Sequence, residues 1–443
     1  MKETEKAIES FGTEQTPPEL IRAYAEVKKA AISAQQTCFN IYDAALFNKL
    51  MTVLDEIIDG SHNLLFKLPL SQGGAGTSLH MNLNEAVCVL TEEPGLDPLD
   101  DLARFQSTND TFSTAVIIMV YRQLLEIEEL VISLQETLVH LEQKYGTVLM
   151  TGRTELQDAL PITLGQIFAS WAGAIERDRW RLHKLKERLR SIPLGGTAMG
   201  TCFSAPRKYV YKAEQNLRQI TDLPLCRSQN LTDAVSNQDT LGEVASGIRL
   251  LALNLGKMTG DLLLYTSSLS GELIHKELQY GSTIMPYKAN PVILEFVSGL
   301  SVSIKHECAK IEDYAGAGQL QLNAYLPFIA EAFIAIHKSV KKSLVSLNSR
   351  FFPGLTIDTR RIELNLAASP AIINTLRNVI GYSRTKELSE LIRMKQPESL
   401  EDVKKILSEN SDLTEAFLDN WFRTENLTTY RDMSFENTEN KDI

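Results

Sequence analysis

Ser282, Thr283, Lys288 and Asn290 fall within the stretch GSTIMPYKANP that runs from Gly281 to Pro291. Two prolines and a glycine keep such a stretch out of a helix interior. It reads as a polar, kinked loop holding hydroxyls, an ammonium and an amide. Three more segments gather similar side chains: GGAGTSLHMNLNE from Gly73 to Glu85, QSTND from Gln106 to Asp110, and TGRTELQDALP from Thr151 to Pro161. Each leads into an apolar helical run, so each offers backbone N–H groups at a helix N-terminus, where anions are favoured. Singly, Ser107 and Thr108 make an ordinary N-cap, Asn290 and Pro291 an ordinary helix start, and Gly73 to Gly76 an ordinary turn. Together the four describe a site that binds a small carboxylate through many neutral donors and one lysine.

Long helices must position these segments. Ile117, Val120, Leu124, Ile127, Val131, Leu134, Leu138 and Leu141 form one heptad-like seam, and Val244, Ile248, Leu251, Leu255, Met258, Leu262 and Tyr265 form a second. The first predicts a helix roughly 45–50 Å long at about 1.5 Å per residue. Helices of that length pack side by side in a bundle. Leu125, Leu130, Ile132, Leu250, Leu253 and Leu263 add apolar surface off the seams, which suggests a bundle extended by other subunits; a solitary bundle with large helices is the plainer alternative. Thr16-Pro17-Pro18-Glu19 has the pattern of a capping box, with Thr16 as the cap. Strand signals are few and short. Polar, turn-rich breaks near residues 104–109 and 353–359 divide the chain into an N-terminal helical domain (1–106), a central long-helix bundle carrying the Ser282 loop (107–355) and a small C-terminal helical domain (356–443). The polar tail around 435–443 carries too little apolar surface to fold.

The totals exclude several classes. The chain has 443 residues, 44% hydrophobic and 23% charged, with a formal net charge of -11. No basic cluster exceeds an ordinary helix face, so nucleic acid is not an expected partner. No apolar run reaches the roughly 18 residues of a membrane span, and the start lacks the apolar core of a signal peptide. Five scattered cysteines, never in a CxxC pair, read as reduced, structural and cytoplasmic. Seven histidines without HxxxH or HExxH spacing make a dedicated metal site an unexpected feature.

The loop GSTIMPYKANP resembles the GSSxMPxKxNP signature of the fumarase/aspartase superfamily. The segments AGTSLHMNLNEA, QSTNDTFSTA, MTGRTELQDALPITLGQ, LGGTAMGT, AGQLQLN (Ala317–Asn323) and IGY (Ile380–Tyr382) agree with it in the same order. The wording is most similar to the aspartase branch, and the resemblance covers the chain from about Ala7 to the tail. It implies an all-α, three-domain fold and a homotetramer around a twenty-helix core, with active sites assembled from three subunits. It implies no organic cofactor. The chemistry implied is removal of a proton next to a carboxylate, then loss of an amine or hydroxyl from the adjacent carbon. The intermediate is an aci-carboxylate dianion, which needs a dense set of donors.

By that resemblance Ser282 matches the base. Serine is a poor base at its free pKa, so its oxyanion needs surrounding N–H groups and positive charge; a mobile loop that closes over substrate would help supply them. Thr77, Ser107, Thr108 and Thr283 match hydroxyls around the acidifying carboxylate, and Met285 lies inside the same motif. Lys288 and Asn290 match the pair that grips the other carboxylate. Asn109 and Thr154 match residues beside the leaving group.

Glu155 departs from the pattern, standing where fumarases and several aspartases have histidine and other aspartases glutamine. Glu295 matches a family glutamate close to that position. Two such carboxylates would share a proton or hold a cation, with an ionisation displaced above the usual carboxyl range near 4.3. Ser204 replaces an asparagine, Val379 a histidine, and the stretch from Tyr265 to Gly271 is short and lacks an arginine. The leading expectation is an ammonia- or amine-lyase acting on aspartate or a close derivative. A fumarase-like lyase and a catalytically inactive structural tetramer are the alternatives. Argininosuccinate and adenylosuccinate lyases share the loop, but they use a histidine in the Thr154–Gln157 region that this chain lacks.

Overall fold

The structure, a computed structural model, describes residues 1–429; the polar tail at 435–443 lies outside the described residues. It is mostly helical, as the periodicity predicts. Five helices come first: α1 (Lys2–Phe11), α2 (Pro18–Phe39), α3 (Ala44–Asp59), α4 (Thr77–Thr91) and α5 (Thr108–Lys144). A hairpin of β1 (Leu149–Thr154) and β2 (Gln157–Thr163) follows, then α6 (Leu164–Leu185), β3 (Ser191–Ile192), α7 (Arg207–Thr221) and β4 (Cys226–Arg227). Next are α8 (Leu231–Ser236), α9 (Asp239–Tyr265), β5 (Leu273–Ile274), α10 (Val292–Gly316), α11 (Leu326–Ser346), β6 (Thr356–Ile357) and α12 (Thr359–Ala368). Among the described residues the strands form three two-stranded sheets, β1 with β2, β3 with β4 and β5 with β6.

The described residues divide into two compact units, Met1–Ile132, Glu176–Gly256 and Val297–Val345 in the first, Ser133–Ile175, Lys257–Phe296 and the described residues from Ser346 onward in the second. In the first, α2 packs on α3, α4 and α7. Both seams face inward there: Val120, Leu124, Ile127 and Val131 of α5 and Val244, Ile248, Leu251 and Leu255 of α9 are buried. Arg122 of α5 donates to both carboxylate oxygens of the buried Glu26 on α2, at 2.6 and 2.9 Å. That bidentate pair fixes the register of the two helices.

The second unit has its own apolar core, where Leu366, Ile373, Leu388, Ile392, Val403 and Leu407 pack together. Arg153 of β1 reaches Glu272, just before β5, through two bonds of 2.8 Å. Glu272 is fully buried and also accepts from Ser270 Oγ and Asn365 Nδ2. A buried carboxylate is tolerable only with partners of this kind. Here they hold the hairpin against the segment that leads to the Ser282 loop.

Two local expectations change. α5 has 37 residues, about 55 Å, because the helix starts at the Ser107 cap rather than at the first apolar seam. Thr16 does not cap α2; its hydroxyl donates to the Leu68 carbonyl at 2.8 Å, and Pro17 occupies the N-cap with no side-chain bond. The tertiary partner wins over the local one because Thr16 is buried.

Candidate active site

The first unit holds Thr77, Ser107, Thr108 and Asn109. Gly76 caps α4 with φ 90°, and a Cβ there would sit 2.6 Å from the Phe112 ring of α5. Only glycine permits both the turn and the close approach, and this places Thr77 beside the start of α5. Ser107 begins α5 with a reciprocal cap: its hydroxyl accepts from the Asn109 N–H, and its own N–H donates to Asp110 Oδ1 at 3.0 Å. The other Asp110 oxygen accepts from the Gly195 and Thr197 N–H groups at 2.9 and 3.0 Å. Asp110 is fully enclosed, and burial pushes its carboxyl up to about 6 against the pull of these donors. Asn109 donates to the Ala198 carbonyl at 2.8 Å. The motifs QSTND and LGGTAMGT are therefore bonded to one another. Thr108 Oγ1 lies 3.0 Å from His80 Nδ1, whose other ring nitrogen lies 3.0 Å from the buried Lys28 ammonium.

The second unit holds Thr154, Glu155, Ser282, Thr283, Met285, Lys288, Asn290 and Glu295. TGRTELQDALP forms a hairpin: Thr154 pairs with Gln157, and Glu155 and Leu156 form the two-residue turn with φ of 52° and 62°. Such turns favour Asn-Gly, so Glu and Leu occupy a conformation that costs them energy. Both side chains are exposed at the tip. Glu295 is exposed in the first turn of α10. Among the described residues no hydrogen bond or ion pair joins Glu155 to Glu295.

Between β5 and α10 the loop closes on itself. Asn290 Nδ2 donates to the Gly281 carbonyl at 2.6 Å, and Gly281 lies so close to the Lys288 carbonyl that no Cβ would fit. Within this ring Ser282 Oγ accepts the Ile284 and Met285 N–H groups at 3.3 and 3.1 Å. Thr283, Met285 and Lys288 are exposed. A cavity of about 600 Å³ opens beside the hairpin, lined by Arg153, Leu156, Trp171, Tyr265, Ser270 and Asn365. None of the candidate residues lines it.

The sequence reading missed Lys28, His80, Asp110, Arg153 and Glu272. Asp110 had a usable signal, since Ser107-x-x-Asp110 is itself a capping-box pattern. Lys28 had none, because its partners lie 52, 74 and 78 residues away. Among the described residues no helix is long and apolar enough to cross a membrane, and no group of three or more His, Cys, Asp or Glu side chains is arranged to hold a metal. All five cysteines are free.

A helical fold with separate clusters of hydroxyl, amide and lysine side chains belongs to a class already known. A family model described as lyase matches residues 2–305. Aspartate ammonia-lyase from Helicobacter pylori is 30% identical over 93% of this chain and 89% of that protein. The Escherichia coli K12 aspartate ammonia-lyase is 30% identical over 96% and 91%. The crystal structure of a cobalt-bound fumarate lyase:delta crystallin from Brucella melitensis superposes with a TM-score of 0.88 at 30% identity, covering 96% of this chain and 94% of that one. The chain belongs to this lyase family, within the fumarase/aspartase superfamily. Its enzyme class is carbon–nitrogen lyase.

Proposed function

We propose that this protein removes a proton from the carbon beside one carboxylate of aspartate or a close derivative and expels ammonia or an amine, giving fumarate or a substituted fumarate. The observation that carries the reading is the Ser282 hydroxyl with two backbone N–H groups aimed at its oxygen. Those donors stabilise an alkoxide, which is what a serine needs to act as a base. Thr77, Ser107, Thr108 and Thr283 bind the carboxylate that becomes the aci-carboxylate dianion. Lys288 and Asn290 hold the other carboxylate, while Asn109 and Thr154 flank the leaving group. Glu155 attracts the substrate ammonium when ionised and donates to the departing nitrogen when protonated; either role favours nitrogen over hydroxyl. Aspartate as the substrate class is supported by the names of the relatives, a small dicarboxylate in each case.

The same reading makes the active enzyme a homotetramer whose sites draw on several subunits. Support comes from apolar side chains left exposed on the long helices, Leu250, Leu253 and Leu264 on α9 and Phe296 and Val302 on α10. Surface of that kind on a soluble helix bundle marks association. Ser282→Ala is the test. It removes a loop hydroxyl and no core contact, so light scattering should still find four chains while kcat falls by far more than about tenfold. A variant that keeps a tenth of the parent rate refutes the base.

A further inference from the structure

Lys28 of α2 and His80 of α4 are buried in the first unit, behind the Thr108 hydroxyl. Lys28 Nζ lies 2.9 Å from the Leu102 carbonyl, 2.8 Å from Gln106 Oε1 and 3.0 Å from His80 Nε2. A lysine ammonium has three N–H bonds and no lone pair, so each of these atoms must accept. The Gln106 amide is oriented for it, because its nitrogen donates to the Leu102 and Arg104 carbonyls. His80 Nε2 therefore carries no hydrogen. Burial, with the neighbouring ammonium second, holds the His80 pKa well below 6.5 and keeps the ring neutral. Its one hydrogen is then on Nδ1, which lies 3.0 Å from Thr108 Oγ1. Thr108 accepts that hydrogen. Its own hydroxyl hydrogen has no other partner among the described residues.

We propose that Lys28 and His80 are positioning residues that turn Thr108 into a hydrogen-bond donor facing the substrate carboxylate. The inference rests on the reading of Thr108 as a carboxylate-binding hydroxyl. Without the pair, a threonine can rotate its hydrogen into the protein and present only lone pairs to an anion. With it, the donor is set before substrate arrives, and no reorganisation accompanies the growth of charge on the aci-carboxylate.

The device has a second state. A neutral Lys28 amine would accept a hydrogen from His80 Nε2, leaving Nδ1 bare. Thr108 would then donate to Nδ1 and lose its outward hydrogen. Burial pushes the Lys28 pKa down to about 7, while Asp110 on α5 and Cys88 on α4 pull it back up. Tyr24 on α2 also packs on the His80 ring, and its hydroxyl is engaged with Thr111.

Nitrogen-15 NMR of the full-length enzyme labelled in its histidines, with His80→Asn identifying the signal, reads the tautomer at about pH 6, below the Lys28 transition. A neutral Nδ1–H ring supports the proposal; an Nε2–H ring or an imidazolium overturns it. This readout needs no turnover, so it stands or falls separately from the amine-lyase reading. In steady-state kinetics on aspartate, His80→Leu should lower kcat/KM by about tenfold to a hundredfold, the loss of a hydrogen bond to a charged group. His80→Asn can place an N–H where Nδ1–H sits and should stay within about threefold of the parent. Two equally damaged variants, each folded by circular dichroism, would overturn the proposal. Above about pH 7 the parent should lose kcat/KM as Lys28 deprotonates, and His80→Asn should not. The same decline in both contradicts the coupling.

Discussion

The two clusters of candidate residues, one in each compact unit, are held in opposite ways. At the start of α5 the supporting groups are buried and bonded: Asp110 receives three backbone N–H groups, and Lys28 has three acceptors. Around Ser282 the loop is held mainly by its own bonds, and Tyr280 just before it and Tyr287 within it are 93% and 94% exposed. The contrast fits the division of labour proposed above. Groups that bind a developing dianion gain from being fixed in advance, whereas the base must admit substrate and release product, which favours an exposed loop. Arg153 and Glu272 occupy the middle ground, anchoring the chain just ahead of that loop.

Breaking the anchor should have the largest effect on stability. Glu272→Ala leaves the Arg153 guanidinium without its main partner and should cost about 3–5 kcal/mol, read from urea unfolding. A loss under about 1 kcal/mol would mean that the hairpin is not anchored there. Lys288→Met tests the loop instead. Lys288 is exposed in the free protein, so the fold should not notice the change, while KM should rise by an amount worth about 1.5–3 kcal/mol. An unchanged KM would remove Lys288 from the carboxylate grip.

The smallest effect belongs to the rigid half. The folded Asp110 carboxyl is held up to about 6, above the roughly 3.9 of an unfolded chain. The folded state thus binds this proton more tightly, and Asp110 subtracts stability as pH rises from about 4 to about 6. Across that window the parent should lose about 2 kcal/mol relative to Asp110→Asn, which does not titrate. Paired denaturation curves at both ends check this. A constant difference would show that the three N–H donors, not burial, set the carboxyl's affinity.

The helical bundle was legible because the seam residues Val120 to Leu138 of α5 and Val244 to Leu262 of α9 are all buried, although the start of α5, residues 110–121, is buried on every side. The polar clusters were legible because hydroxyls and glycines interrupt that pattern. What could not be read was support that arrives from far along the chain. Lys28 looks like one more solvated lysine in VKKAAIS, and Glu272 like an ordinary loop acid, until α4 and β1 are folded against them. Thr16 failed for the same reason, its hydroxyl taken by Leu68. The hairpin escaped because Gly152 and Pro161 weaken its strand signal, although Gly152 sits at the register shift where a Cβ would meet the Leu160 carbonyl at 2.6 Å.

The central claim is that nitrogen, not oxygen, leaves, and one comparison reaches it directly. Purified enzyme should be given aspartate, N-substituted aspartates and malate in turn, with the ultraviolet absorbance of the fumarate-like product followed in each. The amine substrates, or at least one of them, should react faster than malate, because Glu155 at the hairpin tip suits a cationic nitrogen. An enzyme that dehydrates malate faster than it eliminates every amine offered would contradict the assignment.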